Sequence, residues 1–308
     1  MAEPERPGRP EQPGDVTLEA IRAAAEVIRG VVVRTPLLPF GRPEDGDAFG
    51  RTRAWLKPES LQPIGAFKLR GAYFNIATLS AERRAAGVVA HSSGNHAQGV
   101  ARGLSMVAPY DDAATITGQG TIGLEIVEQL AALDGLGPAG ADRAPSGEAP
   151  FTVLVPVGGG GIAAGVAVAV KSLRPDATVI GVEPALAADA RDSLARGEIV
   201  TWTPEQMART IADGQRTTSI GLIPFALFCR HLDGILTVGE DEIARAMVRA
   251  SREARLVLEP SGATTLAAWL FHGEELPPAG RVVCILSGGN VDPARYEELL
   301  ARGIAAGG

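Results

Sequence analysis

The chain has 308 residues, 45% of them hydrophobic and 21% charged, the proportions of a globular protein of one or two domains. A core can form at that length without staples, and two cysteines, Cys229 and Cys284, with no CxxC spacing exclude a disulfide framework and a thiolate metal cluster. A net charge of −7, with no basic run interleaved with aromatics, argues against a nucleic-acid partner.

Residues 1–14 are rich in proline and charge and read as a disordered tail without a targeting signal. Residues 17–29 have helical spacing, with Leu18, Ile21, Ala25 and Ile28 on one face. VVVRTPLLP reads as a strand stopped by Pro36 and Pro39, AWLKP as a short strand, and residues 67–79 as a helix. GVVAHSSGNHAQGVARGL is a strand, a Ser/Gly turn and a helix; residues 120–132 form another helix, and 134–150 a surface loop. FTVLVPV, TVIGVEP and RVVCILSGGN are buried strands, residues 240–254 a helix, and LVLEPSGA a strand entering a turn. The most apolar stretch, residues 154–170, is cut by Pro156 and five glycines, which suits a strand, a turn and a helix better than a membrane span.

Apolar strands alternating with helices imply an α/β fold with a doubly wound, mainly parallel sheet. Ligands in such sheets sit beyond the carboxyl ends of the strands, where SSGNH, GGGG and SGGN fall. The GGGG run is either a packing turn or a phosphate cradle at a helix start. Lys68, among Ala66, Phe67 and Leu69, is either a solvated charge or a desolvated amine able to form a Schiff base. His91 and His96 lack metal-ligand spacing, and no G-x-S-x-G elbow accompanies Ser92 and Ser93, so a zinc site and a hydrolase triad are not expected.

KPESLQPIGAFKLRGAYFNI, AHSSGNHAQGVA, GQGTIGLEI, VPVGGGGIAAG, GVEP, TIADGQRT, EPSGA and LSGGN follow one another in a specific order. From about residue 17 to 305 the chain resembles the pyridoxal-phosphate enzymes of the threonine/serine dehydratase and serine racemase family, the second fold type of such enzymes. The resemblance makes Lys68 the Schiff-base lysine and the base at Cα. It places Phe67 beside the pyridine ring, Asn95 on the ring hydroxyl, and Gly158, Gly159, Gly160 and Gly161 around the phosphate. Ser287 faces the ring nitrogen; a neutral hydroxyl there favours β-elimination over transamination. Ser92, Ser93, Asn95 and His96 would bind the substrate carboxylate, with Ser93 also opposite Lys68, where racemases keep a second acid/base. Glu183, the carbonyl of Ala187 and Asp189 reproduce the family's spacing for Mg²⁺ or Ca²⁺, or else belong to an ordinary polar loop.

The departure from the family lies between SSGNH and GQGT. On the order of 50 residues of the small mobile domain, about two β-α units, are missing. The organisation expected is a large cofactor domain, 15–87 and 118–308, with a small-domain remnant at 88–117. The lack of a targeting signal points to the cytoplasm, and the resemblance implies a homodimer that converts L-threonine or L-serine to a 2-oxo acid and ammonia. A racemase, or a non-catalytic cofactor-binding remnant, is the alternative. No regulatory domain follows SGGN, so feedback control by isoleucine is not expected.

Overall fold

The computed structural model describes residues 11–41, 54–90, 105–134 and 150–308. Its strands are β1 (Leu38–Phe40), β2 (Ala54–Pro58), β3 (Val88–Ala90), β4 (Ser105–Val107), β5 (Phe151–Pro156), β6 (Thr178–Pro184), β7 (Gly234–Val238) and β8 (Arg281–Leu286). Six of them form one sheet in the order β1-β2-β8-β5-β6-β7, parallel throughout except at the β1–β2 edge. The doubly wound α/β sheet is therefore present. β3 and β4 stand apart as a parallel pair, Val88 opposite Ser105 and Ala90 opposite Val107.

The helices are α1 (Leu18–Val27), α2 (Lys68–Ala77), α3 (Ala81–Ala86), α4 (Ala113–Leu133), α5 (Gly161–Leu173), α6 (Asp189–Arg196), α7 (Pro204–Met207), α8 (Leu222–His231), α9 (Glu240–Arg249), α10 (Pro260–Phe271) and α11 (Pro293–Ala305). Side chains alternate across a strand, so β5 splits its apolar residues between two cores. Val153 and Val155 pack with α4, α5 and α8, whereas Leu154 packs with α9 and α10 on the other face. All six residues of β5 are buried, as a strand covered on both faces requires.

The GQGT motif owes its glycines to packing. A Cβ on Gly118 would lie 2.7 Å from the Cα of Gly71, so only glycine lets α4 approach α2 this closely.

Several local readings change. Of VVVRTPLLP only Leu38 and Pro39 lie in a strand, β1. Val33 instead gives its N–H to Gln62 Oε1 (2.9 Å), and its carbonyl accepts from Gln62 Nε2 (2.8 Å). Side chains satisfy that backbone in place of a neighbouring strand. LVLEPSGA forms no strand; Glu259 precedes α10 without a side-chain cap bond, and Pro260 occupies its first position, where a missing N–H costs nothing. The helix holding GQGT begins at Ala113 rather than residue 120, capped by the Asp112 side chain on the Thr115 N–H. The helix read over 240–254 ends at Arg249 and continues as a π turn over Ala250–Ala254. The tail segment 1–10, the SSGNH turn, the chain up to residue 104 and most of the loop at 134–150 lie outside the described residues.

Candidate active site

The site assembles where α2 begins against the carboxyl end of β8. Phe67 donates its N–H to the carbonyl of Ser287 (3.0 Å), Gly289 donates to Gly65 (2.9 Å), and Asn290 Nδ2 donates to Ile64 (2.9 Å). These bonds stitch the turn before α2 to the turn after β8. They bring Lys68, the first residue of α2, beside Ser287 although 219 positions separate the two. Both line a cavity of about 250 Å³ together with Phe67, Gly158, Asp213 and Glu259. Lys68 is exposed at its mouth and Ser287 is buried, its hydroxyl donating a long bond to the Ser261 carbonyl (3.4 Å).

Gly158–Gly161 form the opposite wall, between β5 and α5. Gly160 is left-handed (φ 92°), and a Cβ there would lie 2.6 Å from Pro224. A Cβ on Gly159 would run into the ring of Tyr110. Among the described residues, none of these four glycine N–H groups has an acceptor, as expected at the open end of a helix. Gln215 closes the floor, its Nε2 donating to the carbonyls of Val157 (2.7 Å) and Val182 (2.9 Å). Its Oε1 and the neighbouring Thr217 Oγ are buried and have no partner among the described residues. Gly214 donates its N–H to Ser261 Oγ (2.9 Å), linking this loop to α10.

Two carboxylates reach the cavity that the motifs did not single out. Asp213 is exposed and accepts from the Gly214 N–H (3.0 Å). Glu259 is half-buried, and its carboxyl is pushed up to about 7 by burial and by the Asp213 charge, against the pull of Lys68. Both stood inside quoted motifs, TIADGQRT and EPSGA, but their meeting with Lys68 is a tertiary fact.

Glu183 and Asp189 form a second, fully buried cluster at the end of β6 and the start of α6, with Ala187 buried between them. Glu183 accepts the N–H groups of Ala190 (3.1 Å) and Arg191 (2.9 Å). Neither Asp189 oxygen reaches hydrogen-bond geometry with a partner among the described residues, although the Ile220 N–H stands near enough to favour its charged form. Burial, reinforced by the Asp189 charge, holds Glu183 well above the usual carboxylate range, and burial pushes Asp189 up to about 7. Among the described residues no three His, Cys, Asp or Glu side chains are arranged to hold a metal ion, so a cation here would rely on two carboxylates and backbone oxygen. Ser92, Ser93, Asn95 and His96 lie outside the described residues.

A lysine heading a helix opposite a glycine turn, at the carboxyl edge of a parallel sheet, defines a class of enzyme that holds a phosphorylated aldehyde cofactor. The profile of the family described as "Pyridoxal-phosphate dependent enzyme" matches residues 28–106 and 101–288, and the chain belongs to that family. The L-threonine ammonia-lyase of Thermotoga maritima is 33% identical over 354 aligned positions, covering 95% of this chain and 80% of that protein. The serine racemase of Dictyostelium discoideum is 31% identical, covering 92% of this chain and 98% of that one. Among solved structures, a threonine deaminase from T.th. superposes with a TM-score of 0.75 at 41% identity, covering 90% of this chain and 98% of its own. The first alignment is longer than this chain, so residues of that relative stand opposite gaps here.

The residues present fit pyridoxal phosphate. The glycine turn offers donors without acceptors, Thr217 offers a hydroxyl without a partner among the described residues, and Lys68 offers an amine beside Gly158 in the same cavity.

Proposed function

We propose that the chain is a pyridoxal-phosphate-dependent ammonia-lyase that dehydrates L-threonine or L-serine. The observation that carries this reading is the single cavity shared by Lys68, Ser287 and Gly158. Bound there, pyridoxal phosphate supplies an aldehyde for Schiff-base formation and a conjugated ring that takes up the electron pair of a broken Cα bond. Lys68 would carry the cofactor through its Nζ and, once that amine is free, would take the Cα proton. The N–H groups of Gly158–Gly161 would hold the phosphate, and Phe67 would pack on the ring. Asn95 holds the ring hydroxyl. Ser287 would face the ring nitrogen with a neutral hydroxyl, which offers no fixed charge to hold a proton there and would favour loss of the β-hydroxyl. Ser92, Ser93, Asn95 and His96 bind the substrate carboxylate, and the released enamine hydrolyses to a 2-oxo acid and ammonia.

The test starts with the visible spectrum of the purified chain. Bound cofactor gives an absorbance band, L-threonine or L-serine then yields a 2-oxo acid, and Lys68→Ala removes both band and product. A band that survives in Lys68→Ala defeats the assignment of the lysine. A second reading, a cofactor-binding chain without turnover, draws support from the family match breaking into two segments at residues 101–106. A band with no product under any substrate selects it. Inversion of L-serine in place of elimination selects a racemase, with Ser93 as the second acid/base.

Glu183, the Ala187 carbonyl and Asp189 are proposed to hold Mg²⁺ or Ca²⁺, because a cation would give the Asp189 oxygens the partners they lack. After chelation, adding either ion should raise the melting temperature, and Asp189→Asn should abolish the rise. An equal shift in that variant places the ion elsewhere. A cytoplasmic homodimer completes the reading; among the described residues no helix is long and apolar enough to cross a membrane.

A further inference from the structure

We infer that Glu259 is the proton-exchange partner of Lys68, taking the proton the lysine has removed from Cα and passing it to the departing hydroxyl. The inference rests on the reading of Lys68 given above and adds a residue to it. Once Lys68 holds the Cα proton it is an ammonium, and it must become an amine again before it can displace the product. The cavity offers few places for that proton to go. The glycine N–H groups are donors only, and the Ser287 hydroxyl already donates to the Ser261 carbonyl. Asp213 is exposed to solvent and engaged by the Gly214 N–H.

Glu259 is held in place at the cavity wall. Its own N–H donates to Gly288 (3.2 Å), and its carboxyl lies so close to the Cα of Gly288 that any side chain there would strike it. The groups that act on the carboxyl come from three elements: Lys68 at the start of α2, Asp213 on the loop below, and the Asn290 N–H after β8. Burial and Asp213 favour its neutral form and Lys68 its charged form, so the group stands poised between the two near pH 7. Such matching suits a proton carrier at neutral pH.

The transfer balances without any further reagent. The N–H bond of the Lys68 ammonium breaks with its electron pair left on nitrogen, and an O–H bond forms on the Glu259 carboxylate. When the Cβ–O bond breaks, its pair leaves with oxygen, the carboxyl proton joins that oxygen, and water departs. Substrate has then lost one hydrogen and one hydroxyl, and both side chains are as they began.

Two measurements decide the matter. In cofactor-free chain labelled with ¹³C at the glutamate carboxyl, one resonance should titrate near pH 7 and vanish in Glu259→Gln. With cofactor and L-threonine in D₂O, the unmodified chain should return substrate carrying deuterium at Cα. In Glu259→Gln, which cannot accept the proton, exchange per product formed should drop at least about tenfold, product formation should fall as well, and the cofactor band should persist. Glu259→Asp should recover part of both. An unchanged exchange ratio in Glu259→Gln, or no resonance titrating near neutrality, overturns the inference. If Glu259→Gln does not fold, Glu259→Asp assigns the resonance and reports the ratio. A band retained in Lys68→Ala would instead sink the underlying reading, which keeps the two failures distinct.

Discussion

One methyl group at Gly159 would collide with the ring of Tyr110. Tyr110 sits in the chain just ahead of α4, so the glycine turn and the segment after β4 pack on each other through this contact. Overpacking of this kind costs about 1–3 kcal/mol. Gly159→Ala should lower stability by that amount in urea unfolding, and adding Tyr110→Ala should return part of it. A double-mutant cycle with coupling below about 0.5 kcal/mol would mean the ring moves aside freely. The glycine run itself allowed either a packing turn or a phosphate cradle, and only the ordered set of motifs around it favoured the cradle. Tyr110 was not legible, since nothing in the spacing of residues 110 and 159 announces their contact.

Behind the site, β2, α2 and α4 are joined by four buried charges. Arg70 donates to Glu59 through Nε (2.8 Å) and Nη2 (2.9 Å) and to Glu125 through Nη1 (2.6 Å). Lys57 donates to Glu125 (2.6 Å) and to the Thr35 carbonyl (2.6 Å). The two positive and two negative groups balance, which is how such a cluster tolerates burial. Arg70→Met leaves both carboxylates short of a partner and should cost about 3–5 kcal/mol, read as a fall in the urea midpoint. Burial pushes Glu125 up, but Lys57 and Arg70 outweigh it and hold its carboxyl below the usual range. A lowered acid contributes stability above its unfolded pKa and loses it as pH falls through the folded value. The midpoint should therefore drop steeply in acid below the ordinary carboxylate range. Glu125→Gln, weaker at neutral pH, should lose less over that interval; parallel pH curves would remove Glu125 from the account.

The elements divide along the same physical line. β5, β6 and β8 could be read from sequence because strands buried on both faces are continuously apolar. The segment before β1 looked equally strand-like, yet Gln62, Lys57 and Gln129 side chains take up its backbone carbonyls and the Val33 N–H. That substitution depends on residues 20 to 100 positions away, beyond any local pattern. Likewise Lys68, Phe67, Ser287 and the glycines were found as motifs, whereas Asp213 and Glu259 gained a role only when the turns after β8 and before α2 met.

At the scale of the whole molecule, every described residue proposed to hold the cofactor lies around the six-stranded sheet, while β3 and β4 make only a two-stranded one. The SSGNH turn follows directly on β3. Among the described residues only β3 and β4 then steady the proposed substrate side, and misplacement by 1 Å can cost on the order of 100-fold in rate. We expect cofactor affinity comparable to that of the Thermotoga maritima enzyme measured alongside, with turnover lower on the order of 100-fold. Equal turnover would show that two strands suffice.

The strand order has a consequence for how the protein is made. β8, near the carboxyl end, is inserted between β2 and β5, and so occupies the middle of the sheet. A ribosome that has reached residue 280 has made the other five strands of this sheet, yet β2 and β5 still have no shared neighbour. The nascent chain must carry two unjoined half-sheets with open apolar edges until Arg281–Leu286 emerges. Chaperone demand during synthesis should peak in that interval and end with the last strand.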